Sequence, residues 1–359
     1  MLKKLALSII LFVSITVVYA QTARKYSNEF LSIGVGARAL GMSNSYVSSV
    51  DDVTAGYWNP AGLLGVKSNR QVALMHAEYF AGIAKYDYAA FAAPLDTNSA
   101  LGFSFIRFGV DNIPNTTELI DANGNINYDR ITSFSAADYA FIASYAKKTA
   151  IPGLHLGANA KVIHRIVGDF AKAWGFGLDF GAQYQVGNWK FGAMARDVTS
   201  TFNAWSYTLN QETIDVFNRT GNEIPQNSVE VTLPKLLVGA ARTYKIKEKF
   251  TLLTEANFDF TFDRKRNVLI KSNAVSIDPH LGLEIGYGGF VFLRAGIGNI
   301  QQQTDLDKNK QTSMQPNMGI GVKIKGITID YALTDIGDQS VALYSNIFSL
   351  KFDINRENR

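Results

Sequence analysis

Residues 174–186, WGFGLDFGAQYQV, alternate without a break. Trp174, Phe176, Leu178, Phe180, Ala182, Tyr184 and Val186 fall on one face of an extended chain; Gly175, Gly177, Asp179, Gly181, Gln183 and Gln185 fall on the other. Successive strand residues point to opposite faces, so this segment reads as a strand with one apolar, aromatic-ended face and one small, polar face. The pattern returns further on. Leu281, Leu283, Ile285 and Tyr287 oppose Gly282, Glu284 and Gly286; Met318, Ile320, Val322 and Ile324 oppose Gly319, Gly321, Lys323 and Lys325; Phe348, Leu350, Phe352 and Ile354 oppose Ser349, Lys351 and Asp353.

About fourteen such segments follow one another. They fall near 70–79, 81–94, 98–109, 132–147, 153–167, 174–186, 188–197, 232–245, 249–262, 279–287, 289–298, 316–325, 327–335 and 341–354. Many reach the roughly 9–11 residues that a tilted membrane-crossing strand needs, against about 5–6 for an ordinary strand. The gaps carry independent information. Even-numbered gaps are tight (LDTNS, KKTAIP, VGN, KIKEK, GYGG and KG), whereas every long gap is odd-numbered: 110–131, 198–231, 263–278 and 299–315. Short turns at one end and long loops at the other are the asymmetry of an outer-membrane barrel, and a misplaced strand would break that parity. The expected fold is therefore all-β: an antiparallel transmembrane outer-membrane β-barrel of about 14 strands, spanning residues 70–359.

Composition agrees. Only 18% of the 359 residues are charged while glycines number 30, a balance that suits strands better than helices. Lys plus Arg total 35 against 31 for Asp plus Glu, which gives no footing for nucleic acid. There is no cysteine, so packing and backbone pairing must hold the chain together. Residues 1–20, MLKKLALSIILFVSITVVYA, have the charged start, apolar run and small-residue end of a secretory signal peptide. Beyond them no apolar run is long enough for a transmembrane helix. The expected location is the outer membrane of a Gram-negative bacterium, with its lipid as the surrounding partner.

Residues 21–69 precede the first strand and are expected on the periplasmic side. They carry Phe30, Leu31, Val35, Leu40, Tyr46, Tyr57, Trp58 and Leu63, apolar surface that must be buried somewhere, and the barrel lumen is at hand. We read this segment as a plug, with a short helix over Ser48–Trp58 closed by a turn at Asn59, Pro60, Ala61 and Gly62. Inward strand faces offer Lys85, Asp87 and Lys161, and a candidate lumen lining of Asp179, Glu255, Asp259, Glu284, Arg294, Lys323, Asp330 and Lys351. The long loop 198–231 offers Phe202, Trp205 and Tyr207 as aromatic contacts for a partner. Pro94 and Pro234 interrupt pairing, but both are read as lying toward periplasmic strand ends.

The stretch FLSIGVGARALGMSNSYVSSVDDVTAGYWNPAGL resembles the N-terminal signature of the PorV/PorQ family of outer-membrane proteins, and its Asn-Pro-Ala turn resembles that of the wider FadL group of fatty-acid channels. The end, DYALTDIGDQSVALYSNIFSLKFDI, also resembles PorV-like chains. The resemblance implies a fourteen-stranded barrel with its N-terminal segment inside. It implies a part in type IX protein secretion, binding the translocon and exported proteins through their C-terminal sorting domain. The alternative it implies is passive FadL-like transport of long-chain fatty acids or other hydrophobic molecules.

No enzyme, cofactor or metal site is expected. His76, His155, His164 and His280 have neither metal-ligand spacing nor a neighbouring nucleophile motif. Glycine-rich SIGVGARALG lacks a strand–helix–strand setting for phosphate. DLDKNK at 305–310 starts like a calcium loop, but Lys310 stands where glycine belongs and Pro316 where glutamate belongs.

Overall fold

The computed structural model describes residues 27–120, 124–304, 310–334, 336 and 344–355, so the signal-peptide segment and residues 305–309 of the calcium-loop candidate lie outside the described residues. The strands are β1 (Arg70–Tyr79), β2 (Ala84–Pro94), β3 (Ser99–Asn115), β4 (Thr132–Lys148), β5 (Leu154–Val167), β6 (Ala171–Val186), β7 (Trp189–Arg196), β8 (Phe202–Tyr207) and β9 (Ser228–Val231). There follow β10 (Lys235–Ile246), β11 (Phe250–Thr261), β12 (Ile270–Lys271), β13 (Ser276–Tyr287), β14 (Val291–Thr304), β15 (Lys310–Ile324), β16 (Ile327–Thr334) and β17 (Ser345–Ile354). All pair antiparallel in one sheet, which closes where Arg70 of β1 meets Ile354 of β17. Fourteen form the barrel wall, with β8 and β9 continuing β7 and β10 toward the long-loop end and β12 a short addition there. Closure leaves no sheet edge, and this is what lets strands cross a bilayer. No helix among the described residues is long and apolar enough to do so.

The alternation sorts the wall into two faces. On β6, Trp174, Phe176 and Phe180 are exposed outward while Asp179 is 3% exposed. Leu281, Leu283 and Ile285 of β13 are likewise outward and Glu284 inward. β2 departs from expectation. Its buried residues are Ala84, Tyr86, Tyr88, Ala90 and Ala92, so Lys85 and Asp87 face outward, not into the lumen. Asp87 binds His76 at 2.7 Å and Arg107 at 3.3 Å on the outer wall. The inward tyrosines are apolar because they pack on the N-terminal segment, where Tyr86 donates to the Phe30 carbonyl. Where a lumen is filled with protein, the inner face of a strand is as apolar as the outer, and the contrast that sets the phase is lost.

The 198–231 segment is more than a loop. β7 and β8 both pair with β6 and run in the same direction, so they are one strand with a kink. Phe180 faces Ala195 and Phe176 faces Phe202: four steps on β6 against seven on the partner leave three extra residues. Asp197 and Ser200, in the kink, both have φ of 56°. The next wall strand is interrupted beside it between β9 and β10, at Thr232, Leu233 and Pro234. Pro234 thus sits up the wall beside the kink, not at the short-turn end. A helix, Gln211–Thr220, capped by Asn210 and closed by Gly221 in the left-handed conformation, joins β8 to β9.

The N-terminal segment runs inside the wall. Ser27 and Asn28 bind Glu230, Thr232 and Asn203 beside the kink, at the long-loop half of the barrel. The chain then descends to Asn69 and β1 at the short-turn end. It starts high in the lumen, not beneath it. Its regular structure is modest: helical turns at Glu29–Ser32, Ala37–Gly41, Ala55–Trp58 and Pro60–Gly65. The helix expected over Ser48–Trp58 covers only its last four residues.

Candidate functional site

The filled lumen is the site. Backbone groups in the N-terminal segment that lack helix partners are satisfied by side chains reaching in from the wall, as buried polar groups require. Glu255 of β11 accepts from the Ser48 and Ser49 amides at 2.7 and 3.2 Å. Asn159 of β5 donates to the Gly56 carbonyl at 2.9 Å, and Gln183 of β6 to the Val50 carbonyl at 2.9 Å. Ser349 of β17 accepts from the Ala37 amide at 2.8 Å. Residues from opposite sides of the barrel therefore hold one irregular segment.

Asn59 is its pivot. It ends the Ala55–Trp58 turn and starts the next, with Pro60 in the first helical position, where a missing N–H costs nothing. Its oxygen accepts from the Ala61 amide, and its amide donates to the Val47, Ala182 and Ala193 carbonyls. The turn lies against the wall because Gly157 and Gly181 lack side chains there: a Cβ on Gly181 would overlap Asn59, and one on Gly157 would overlap the Pro60–Ala61 backbone. Trp58 and Tyr57 beside it are buried, and the Arg196 guanidinium lies over the Tyr57 ring, 4.5 Å from its centroid.

Ion pairs lock the lower half. Arg38 grips Glu284 of β13 with two hydrogen bonds of 2.8 and 2.9 Å, and Arg294 of β14 joins Glu284 at 2.6 Å to Asp330 of β16 at 2.7 Å. Asp52 takes Lys351 of β17 at 2.6 Å. Burial opposes charge on Asp52, yet Lys351 and Arg38 beside it hold its carboxyl well below the usual carboxylate range. Burial pushes the Tyr57 and Tyr46 phenols up, against the opposing pull of Arg196 and Arg38 respectively.

A cavity remains at each end. The lower one, about 360 Å³, lies among Arg38, Asp52, Lys323, Lys351 and Asp353 at the short-turn end. The upper one, about 410 Å³, is floored by Ile33, Leu40, Ser43 and Asn44 and walled by Lys235, Asp259, Asp278, His280 and Asn317. Arg266, on the loop before β12, closes over it by binding Glu29 at 3.3 Å and Asp263 at 2.6 Å.

The candidate lining residues are thus divided. Asp179 and Glu255 are buried in contacts within the wall or with the N-terminal segment, whereas Glu284, Arg294 and Asp330 are buried in ion pairs that border the lower cavity. Lys323 and Lys351 border the lower cavity, Asp259 the upper. Asp179 belongs to a knot at the kink: Lys161 binds Asp179 at 2.7 Å and Asp197 at 2.5 Å, and all three are buried. Phe202, Trp205 and Tyr207 lie on β8 but not on one face: Phe202 is exposed outward, while Trp205 stacks on Tyr207 on the lumen side, under Arg165. Sequence reasoning missed Arg38, Asp52 and Lys235. The first two sit in a segment without periodicity, and Lys235 at a strand end. Among the described residues no group of three or more acidic, His or Cys side chains could hold a metal ion.

The fold and the filled lumen define a class, the closed fourteen-stranded antiparallel β-barrel whose lumen is occupied by its own N-terminal segment. Among solved structures the chain resembles the toluene transporter TbuX of Ralstonia pickettii, with a TM-score of 0.53 and 14% identity over 90% of this chain and 99% of that one. It resembles the monoaromatic hydrocarbon channel CymD at a TM-score of 0.54 and 12% identity, over 90% and 98% of the two chains. A Pseudomonas aeruginosa FadL homologue matches at 0.51 and 11%, over 89% and 98%. No family model and no curated protein matches the chain. At these identities the likeness is one of fold.

Proposed function

We propose that this chain is a non-enzymatic outer-membrane barrel that admits small molecules from outside into its lumen and passes them inward past a movable N-terminal plug, residues 21–69. The observation that carries this reading is the 410 Å³ cavity at the long-loop end, floored by that segment, in a fold shared with hydrocarbon channels. Long loops mark the outer side of such barrels, so the cavity faces outward and the ion-paired lower half faces the periplasm. Hydrophobic small molecules are the cargo class that the structural neighbours suggest. The test is flux of toluene and of oleate into liposomes holding the purified barrel. Faster entry than into empty liposomes supports transport of hydrophobic cargo, and equal rates with correctly inserted protein overturn that cargo.

A second reading, a PorV-like part in type IX secretion, has its own support. The N-terminal signature resembles that family, and the β8–β9 ribbon with the Gln211–Thr220 helix supplies a folded structure at the outer end. Mass spectrometry of proteins co-purified from the native membrane separates the two. A translocon subunit or secreted chains sharing a C-terminal domain favour secretion; their absence beside liposome flux favours transport.

A further inference from the structure

Beside the paired Glu29 and Arg266, the upper cavity holds opposite charges that form no ion pair with each other. Asp259 on β11 and Asp278 on β13 are directly opposite in the ladder, both facing the cavity. Like charges in that relation destabilise a sheet; among the described residues no Lys or Arg lies within ion-pair distance of either carboxylate, and the His280 Nε2 lies 3.6 Å from Asp278 and 4.0 Å from Asp259. His280 is 8% exposed and lines the cavity, yet its Nδ1 has no hydrogen-bond partner; neither has Asp278 Oδ1. Across the same wall, Lys235 forms no ion pair among the described residues. Its ammonium donates to the Ser32 hydroxyl at 2.6 Å and has two N–H groups to spare.

The spacing is set by the ladder. Lys235 pairs with Thr261, two residues from Asp259, so the ammonium and the carboxylate pair are diagonal neighbours about 7–8 Å apart at the backbone. No direct ion pair spans this gap among the described residues, and Lys235 Nζ turns to Ser32, which leaves room for a molecule that places its own carboxylate on Lys235 and its own ammonium on Asp259 and Asp278. Ile33 and Leu40 on the floor offer apolar surface to the rest of it.

We infer that the upper cavity binds a small zwitterion with an apolar side chain, of the size of a free amino acid. This rests on reading the cavity as the entry to a transport route and changes the cargo from a hydrocarbon to an amphipathic molecule. A hydrocarbon entering here would desolvate Lys235 and both carboxylates without pairing them, which costs free energy.

The test is calorimetric titration of the full-length barrel in detergent with leucine, leucine methyl ester, N-acetylleucine and toluene. Leucine should bind at millimolar concentration or below, and each single-charge analogue about tenfold or more weakly. Lys235→Met should erase the preference for leucine over its methyl ester, and Asp259→Asn with Asp278→Asn the preference over N-acetylleucine. Heat-modifiable migration on gels certifies that each variant is folded. Absence of leucine binding, or equal binding of all three leucine compounds, overturns the inference. Toluene binding without leucine binding overturns it and leaves the transport reading standing.

Discussion

Arg38 and Glu284 stand 246 positions apart in the chain and form a two-pronged ion pair at the lower face of the plug. Both are buried or nearly so, where the attraction is strong and an unpaired charge is expensive. Arg38→Met leaves Glu284 with Arg294 alone. Breaking such a pair costs up to about 3–5 kcal/mol, and Arg294 reduces that. The expected result is faster hydrogen exchange at residues 37–52 with the wall amides unchanged. Unchanged exchange in that segment would mean that Arg38 is no latch.

Lys161 ties Asp179 to Asp197 at the kink between β7 and β8. Lys161→Met strands two buried carboxylates and should destabilise the barrel by about 3–5 kcal/mol, lowering the temperature at which it loses heat-modifiable migration. Adding Asp179→Asn and Asp197→Asn should restore much of the loss. A triple variant as weak as the single one would show that the kink needs Lys161 for its shape and not for its charge.

Asp52 makes plug docking acid-sensitive. Its carboxyl is held below the ordinary value of 3.8 by Lys351 and Arg38 against the opposing effect of burial. A group whose folded value is depressed contributes stability above the unfolded value and loses it as pH falls through the folded one. Docking should therefore be constant from neutral pH to about 5 and weaken below about 4. Asp52→Asn should flatten that response in proteolysis of the N-terminal segment; an unchanged acid profile would assign it to another group.

Leu283 tests which face meets lipid. It points outward from β13 at 47% exposure. Leu283→Arg should cost about 2–4 kcal/mol for folding into a bilayer if it lies near the midplane, and about 0–1 kcal/mol near an interface. Folding titrations in vesicles read this directly. A stabilising effect would contradict the orientation of the wall.

The wall was legible in the sequence because its cause is local. A strand with lipid on one side and protein or water on the other must alternate, and the gap parity of WGFGLDFGAQYQV and its companions counts the crossings. The glycines on the inward faces were legible too, but not their reason: Gly181 and Gly157 make room for Asn59 and Pro60, and only the packed lumen shows this. The alternation misled at Lys85 and Asp87 because Tyr86 and Tyr88 pack on the plug, which makes the inner face apolar. The kink at Asp197–Thr201 and the strands β8 and β9 read as loop because β6, the partner of β8, looks like a finished strand without it, and β9 pairs with β8. Arg38 carries no signal in spacing, and alternation marks Glu284 as inward without naming its partner. Their meeting depends on barrel closure, which brings distant strands and an aperiodic segment into one lumen; alternation along a strand says which side a residue faces but not what it will face there.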